Sequence, residues 1–360
     1  MSVKYHSSAH VAAVDRLLNN TKWLFPTPAA PITAHGTFKI IRDDLHPHPF
    51  LNGNKRRKLD ALIPELVADG VTDIVTLGGS QSAHTLAVAA AAVEQGRDIR
   101  CHLLIRGERP DIPTGNHLYA RMLAHKVHYI SRSDYVDRSA ILQKHADAIV
   151  SSNRNAKVAI IPEGGRDAAS LLGMIRLVDW LSSSTAEKDN FLDTEKKPCT
   201  LVVDSGTGTT VTGIALGIAL LKLSHWKVIG VMLAGTEEYY QHATLQIVRQ
   251  FCSKHGIEDA AAVAGAAAEC MTLVPRKTPR KFGNILPGDV ARCREIAQQH
   301  GGLVLDPIWT LAAWEVAEEE SSSSSMTRHG DTMGREVVMV HTGGAVLGTL
   351  GLAQRYPHLY

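Results

Sequence analysis

The feature that most constrains this chain is alternation. From Lys55 onward, short β-branched runs take turns with amphipathic segments, and small-residue turns stand between them. Residues 55–69 place Leu59, Leu62, Ile63 and Leu66 at helical spacing, and Gly70 closes the segment as a C′ glycine does. In the first block, residues 71–77, 99–105, 127–130 and 158–161 read as strands, and 82–94, 117–125 and 139–150 as helices. Helix 168–181 leads into a polar tract, 182–198, that reads as a surface loop. The second block has strands at 201–203, 228–233, 303–305 and 337–340, and helices at 210–223, 237–255, 289–300 and 311–320. A basic stretch around 276–281 is irregular, and the serine run 321–325 with the polar residues to Glu336 reads as a second loop. An N-terminal helix is expected over residues 9–19. Strands alternating with helices imply right-handed βαβ units and parallel sheets covered on both faces. The expected fold is therefore α/β in two lobes, each a twisted, mainly parallel sheet flanked by helices. Ligands of such folds sit at the carboxyl ends of the strands.

Composition excludes several other classes. The chain has 360 residues, 44% hydrophobic and 21% charged, with a net charge of +2. Its Lys and Arg are dispersed, so no nucleic-acid stripe or polybasic membrane tail is expected. No apolar run reaches the roughly 18 residues of a membrane span. Five scattered cysteines without CxxC spacing point to reduced thiols, hence the cytoplasm or a mitochondrial or plastid matrix. His46 and His48 flank Pro47, but no third ligand stands at a useful spacing, so no metal is expected. The first 26 residues lack a secretory pattern; Lys4, Arg16 and Lys22 against Asp15 are faintly like an organellar transit segment.

Three tracts carry the chemistry. Gly53-Asn54-Lys55-Arg56-Arg57-Lys58 opens a helix, and taken alone it reads as a solvated basic face. Gly78-Gly79-Ser80-Gln81-Ser82-Ala83-His84 and Ser205-Gly206-Thr207-Gly208-Thr209-Thr210 each join a strand to a helix. Taken alone, each is also a capped βα turn. Together they are two anion sockets near a lysine, because helix N-termini present unpaired N–H groups and a positive dipole end. Pyridoxal phosphate holding an amino acid needs an amine, a phosphate cradle and a carboxylate clamp. Lys58, one turn beyond Lys55, competes for the amine role.

Read together, these tracts resemble the family of 1-aminocyclopropane-1-carboxylate deaminases and D-cysteine desulfhydrases, which are pyridoxal-phosphate enzymes of fold type II. The resemblance runs from about Phe38 through Arg42-Asp43-Asp44-Leu45, the 205–210 turn, Asp306-Pro307-Ile308 and His341-Thr342-Gly343-Gly344. Leu51-Asn52-Gly53-Asn54-Lys55, Gln81-Ser82-Ala83-His84 and Thr310-Leu311-Ala312-Ala313-Trp314-Glu315 are most similar to the plant mitochondrial-type D-cysteine desulfhydrase branch. The resemblance implies a large domain of residues 1–54 and 166–360, a small domain of 55–165, and a homodimer. It makes Lys55 the Schiff-base lysine with Asn54 beside it. It gives the phosphate to Ser205, Gly206, Thr207, Gly208 and Thr209, and adds Thr310 and Thr342 to the cofactor site. Gln81, Ser82, Ala83 and His84 would hold the substrate carboxylate, and Ser82 and Trp309 would join Lys55 in catalysis.

Three positions depart from the family pattern. Ala83 stands where an asparagine is common, Trp309 where a tyrosine faces the substrate, and Thr310 where the deaminases place a glutamate against the pyridine nitrogen. Indole only donates its N–H, so it cannot relay a proton as a phenol does. The expected reaction is β-elimination of a D-cysteine-like amino acid to pyruvate, ammonia and sulfide. The alternatives are a diverged fold type II enzyme with another amino-acid-like or secondary-metabolite substrate, or a cofactor-binding protein without catalysis.

Overall fold

The computed structural model describes residues 9–96, 99–183, 198–326 and 335–360. The chain begins with α1 (Ala9–Asn20) and a hairpin of β1 (Ile32–His35) and β2 (Phe38–Ile41). Then come α2 (Gly53–Ala68), β3 (Asp73–Gly79), α3 (Ala83–Glu94), β4 (Arg100–Arg106), α4 (Gly115–Leu123) and β5 (Lys126–Ile130). α5 (Arg138–Ser152), β6 (Val158–Ile161) and α6 (Ala168–Ser182) complete the first block. The second block holds β7 (Cys199–Ser205), α7 (Thr209–Leu220), β8 (Trp226–Met232), α8 (Glu237–His255), α9 (Ala260–Glu269) and β9 (Met271–Pro275). It ends with α10 (Pro287–Gln299), α11 (Thr310–Met326), β10 (Glu336–Val340) and α12 (Ala345–Arg355).

Two sheets result. One has the order β5-β4-β3-β6 and is parallel throughout. The other has the order β1-β2-β10-β7-β8-β9, parallel except where β1 pairs antiparallel with β2 at its edge. The α/β class with mainly parallel sheets is as the alternation implies. The central strands β3 and β7 are buried almost along their whole length, which explains their continuous apolar runs. α6 and α7 lie side by side in the core against the second sheet, with Leu177, Leu181, Ile214 and Ile218 against Leu201 and Val203 of β7.

The basic run on α2 is not a solvated face. Arg56, Arg57 and Lys58 are buried, and each has a specific partner. Arg57 Nε donates to Asp43 Oδ2 at 2.6 Å, in a pair whose side chains are 3% and 1% exposed. The Arg56 guanidinium stacks 4.7 Å from the Phe25 ring centroid and donates to Thr27 O. Pro64 lies within α2 and has no N–H to give Asp60 O, and the Leu24 N–H takes that carbonyl instead at 2.8 Å. The N-terminal segment is thereby strapped to the helix that carries Lys55.

Some expectations are corrected. Residues 303–305 are not a strand: Gly301 and Gly302 take left-handed φ of 61° and 78° after α10, and the residues beyond form no ladder. Leu303 and Leu305 are apolar because they fill the core beside Leu311 and Trp314. The serine run is helical, with α11 continuing to Met326. The Ser321, Ser322 and Ser323 hydroxyls donate back to the Glu318 and Glu319 carbonyls, a bond that lets serine sit inside a helix. α9, β9 and the β1–β2 hairpin are additions that the periodicity did not reveal. The loop expected over 182–198 falls on residues 184–197, and that beyond Ser325 on 327–334, both outside the described residues. Among the described residues no helix is long and apolar enough to cross a membrane. All five cysteines are free thiols.

Candidate active site

The carboxyl ends of β3, β4 and β6 in one sheet and of β7, β8 and β10 in the other open onto a shared cleft of about 2130 Å³. Lys55, half-buried in the first turn of α2, lies in its wall. Lys55 Nζ donates to Asn54 Oδ1 at 2.7 Å, and Asn54 Nδ2 donates to Thr210 Oγ1 at 3.0 Å. The amine is thus tied through Asn54 to the start of α7. Burial pushes Lys55 below its ordinary value, against the pull of the Asp204 and Asp306 carboxylates. Lys58 reaches the same cleft but is spent on the fold: its Nζ donates to Gly164 O at 2.9 Å. It is held still lower, by burial and by repulsion from Lys55.

The 205–210 turn has the chemistry of an anion cradle. Gly208 caps α7 in the left-handed conformation, which leaves the first N–H groups of that helix facing the cleft. The Ser205 hydroxyl is buried and has no hydrogen-bond partner among the described residues. A buried orphan donor beside a helix start is what an absent phosphate would satisfy. Thr207 and Thr209 add hydroxyls 3.1 Å apart. Gly206 lies flat against Trp309, since a Cβ there would stand 2.7 Å from the indole. The indole also meets Phe282 edge-on at 5.0 Å, so Trp309 forms a rigid wall over this turn.

The 78–84 turn is more divided in its roles. Ser82 caps α3, its Oγ accepting from Thr85 N at 3.3 Å, and lines the cleft with Ala83. The unpaired first-turn N–H groups of α3 are the donors available to a carboxylate. The Gln81 side chain is occupied, donating to Thr114 O and accepting from Asn116 N, and so pins α4 rather than a ligand. The His84 ring meets Thr76 Oγ1 at 3.0 Å in the core of the first sheet. Burial, with Lys55 and Lys58 adding, drives His84 down to about 3, so its ring offers no positive charge. All four residues expected at the carboxylate line the cleft, and of them the Gln81 side chain is spent on the start of α4.

Thr310 is also placed differently from the expectation. It is fully buried at the start of α11, donates to Asp306 Oδ2 at 2.9 Å and accepts from Asp306 N at 2.7 Å. It does not line the cleft. Thr342 does line it and donates to Asp204 Oδ1 at 2.6 Å. Asp204 was not among the expected residues. A carboxylate closing the apolar run Leu201-Val202-Val203, one residue before the cradle, is the signal that marks it. α2 is fastened to this floor: Asn54 N donates to Thr342 O at 3.1 Å.

Comparison with known proteins agrees with this architecture. The family model described as pyridoxal-phosphate dependent enzyme matches residues 22–343. A protein of Oryza sativa subsp. japonica, provisionally named D-cysteine desulfhydrase 2, mitochondrial, is 41% identical over 89% of this chain and 80% of its own length. The bifunctional D-cysteine desulfhydrase/1-aminocyclopropane-1-carboxylate deaminase, mitochondrial, of Arabidopsis thaliana is 26% identical over 89% of this chain and 76% of its own. A crystal structure of a 1-aminocyclopropane-1-carboxylate deaminase homologue superposes with a TM-score of 0.78 at 20% identity, covering 97% of this chain and 99% of that one, and shows the shared fold. With its two mainly parallel sheets, its cradle and a lysine in the cleft they share, this chain belongs to the family of pyridoxal-phosphate-dependent enzymes.

Proposed function

We propose that this enzyme is a lyase that eliminates hydrosulfide from D-cysteine or a close analogue, giving pyruvate, ammonia and sulfide. The names of the rice and Arabidopsis relatives support the substrate class. The observation that carries the reading is the Lys55 amine, depressed by burial and aimed into the cleft between the 205–210 cradle and the α3 start. Lowering an amine's pKa enlarges its unprotonated fraction, the form that attacks an aldehyde. The orphan Ser205 hydroxyl and the free N–H groups of α7 fit the phosphate.

When bound, pyridoxal phosphate supplies a sink for the electrons left at Cα after its proton departs. The chain supplies the rest. The α3 start and Ser82 bind the substrate carboxylate and fix the Cα–H direction. Lys55 Nζ, or Ser82 Oγ, takes the Cα proton; an aligned group of this kind gives about 10²–10⁴ in rate. Asn54 holds Lys55 at 2.7 Å in reach of the cleft. Trp309 walls the cleft over the cradle and excludes water there. It has no phenol to offer, which favours elimination over ring opening and leaves room for an altered substrate. We also propose residues 55–165 as the small domain, a homodimer, and a cytoplasmic or organellar-matrix location.

The test is optical. Purified enzyme should show a near-visible cofactor band and release sulfide from D-cysteine faster than from L-cysteine. Lys55→Ala should lose the band and the activity. Lys58→Ala should keep the band if it folds, and a band lost only in Lys58→Ala would overturn the assignment. A band with no turnover on D- or L-amino acids would sink the lyase reading and leave a binding protein.

A further inference from the structure

The family resemblance gives the ring nitrogen of the cofactor to residue 310, and the structure gives Thr310 nothing to do there. Its hydroxyl donates to Asp306 Oδ2 and accepts from Asp306 N, and the residue is fully buried outside the cleft wall. A ring tied at its aldehyde to Lys55 and at its phosphate to the 205–210 cradle has one further strong polar atom in the ring, the nitrogen para to the aldehyde. Of the polar pairs in the cleft wall that neither tie uses, Asp204 and Thr342 adjoin both: Asp204 stands one residue before the cradle, the Thr342 carbonyl takes the Asn54 N–H, and the two lie at the carboxyl ends of the adjacent strands β7 and β10. We infer that Asp204, acting through Thr342, is the carboxylate that holds this nitrogen protonated. The inference deepens the proposed function and rests on its assignment of Lys55 and the cradle.

Thr342 Oγ1 donates its only proton to Asp204 Oδ1, at 2.6 Å. What remains on that oxygen is acceptor capacity. An acceptor favours a ring N–H⁺ and cannot satisfy a bare nitrogen. A carboxylate behind a hydroxyl therefore does at one remove what the deaminase glutamate does directly. Asp204 is 4% exposed, so its charge is poorly screened. The groups facing it are Lys55 and His341, which favour its anion, and Asp306, which with burial opposes it. The net result is a carboxyl pushed up to about 6, ionised at neutral pH. Replacing Asp204 by asparagine removes the charge and frees the Thr342 hydroxyl to turn and donate to a neutral nitrogen. Asp204 is a positioning residue in this scheme, since Thr342 stands between it and the ring.

The experiment uses holoenzyme reconstituted with cofactor labelled with nitrogen-15 in the ring, read by NMR at pH 8. The wild-type nitrogen should resonate in the protonated range. Asp204→Asn and Thr342→Val should each move it to the unprotonated range, and Thr310→Val should leave it in place. A protonated nitrogen in Asp204→Asn, or a nitrogen deprotonated by Thr310→Val, would overturn the inference. If Asp204→Asn fails to fold, Thr342→Val tests the same relay. A second readout needs no turnover. Wild-type apoenzyme should bind pyridoxal phosphate roughly tenfold more tightly than its analogue with carbon in place of the ring nitrogen. That preference should vanish in Asp204→Asn, and its survival would count against the relay. A wild-type protein with no cofactor band refutes the site itself; a band with an unprotonated nitrogen refutes this inference alone.

Discussion

Gly53→Ala is the sharpest test of how the fold positions Lys55. Gly53 opens α2 with φ of 60°, and a Cβ there would stand 1.9 Å from Thr342 O and 2.4 Å from its carbonyl carbon. A comfortable carbon–oxygen approach is about 3.3 Å or more. The helix start must then retreat by more than about 1 Å, or β10 must give way by that much. The left-handed backbone costs a non-glycine residue about 1–2 kcal/mol. Retreat also breaks the Asn54 N–H to Thr342 O bond, and a buried donor left unpaired costs about 1–3 kcal/mol. Together these give about 2–5 kcal/mol. With an unfolding entropy of about 2.1 cal/mol/K per residue, the melting temperature of this chain should fall by about 3–7 °C. The functional loss should be larger, because misplacing a reacting group by about 1 Å costs on the order of 10² in rate. Gly70→Ala is the matched control: its φ is 70°, but nothing lies within 4 Å of a Cβ there. It should lose only the backbone term and keep full cofactor absorbance. Thermal denaturation of the two holoenzymes, with absorbance and sulfide release, decides the matter. Equal losses in both variants would refute the clash argument, and normal turnover in Gly53→Ala would refute the fastening of α2 to β10.

Two further outcomes follow from buried charge. Asp43→Asn leaves the Arg57 guanidinium without its carboxylate and should cost about 3–5 kcal/mol, while Asp43→Leu with Arg57→Met should cost clearly less; urea midpoints measure both, and a milder single variant would refute the pairing. His84 is held near 3 against 6.5 for a free histidine, so the unfolded chain binds that proton first; its contribution is full above pH 6.5, drains as the pH falls toward 3, and amounts to a few kcal/mol at most. His84→Asn should therefore flatten the loss of stability between pH 6 and 4 in urea titrations, and an unchanged slope would refute the assignment.

Periodicity made most of the fold legible because βα units bury their strands on both faces and their helices on one. It failed where apolar character had another cause. Leu303 and Leu305 are core residues on a non-pairing segment, and the serine run is helical, with the Ser321, Ser322 and Ser323 hydroxyls returning to the preceding turn. In the site, Lys55 and Lys58 look alike in sequence, one turn apart on one helix. Only the third dimension separates an amine held by Asn54 from one spent on Gly164 O. Gln81 and Thr310 were read as ligands from motif position, whereas their hydrogen bonds run to Thr114, Asn116 and Asp306. Asp204 was visible as an acid at the end of an apolar strand, but its meaning depends on Thr342, which arrives from the far end of the chain.

The bond from Asn54 to Thr342 O also sets an order of events in the cell. Lys55 leaves the ribosome long before β10, the strand that floors its pocket. A nascent chain can finish the β5-β4-β3-β6 sheet and still own only half a pocket. The cofactor should then be captured only once β10 has been made and has reached the start of α2. A stop codon anywhere before Gly343 should yield protein that is colourless rather than merely slow.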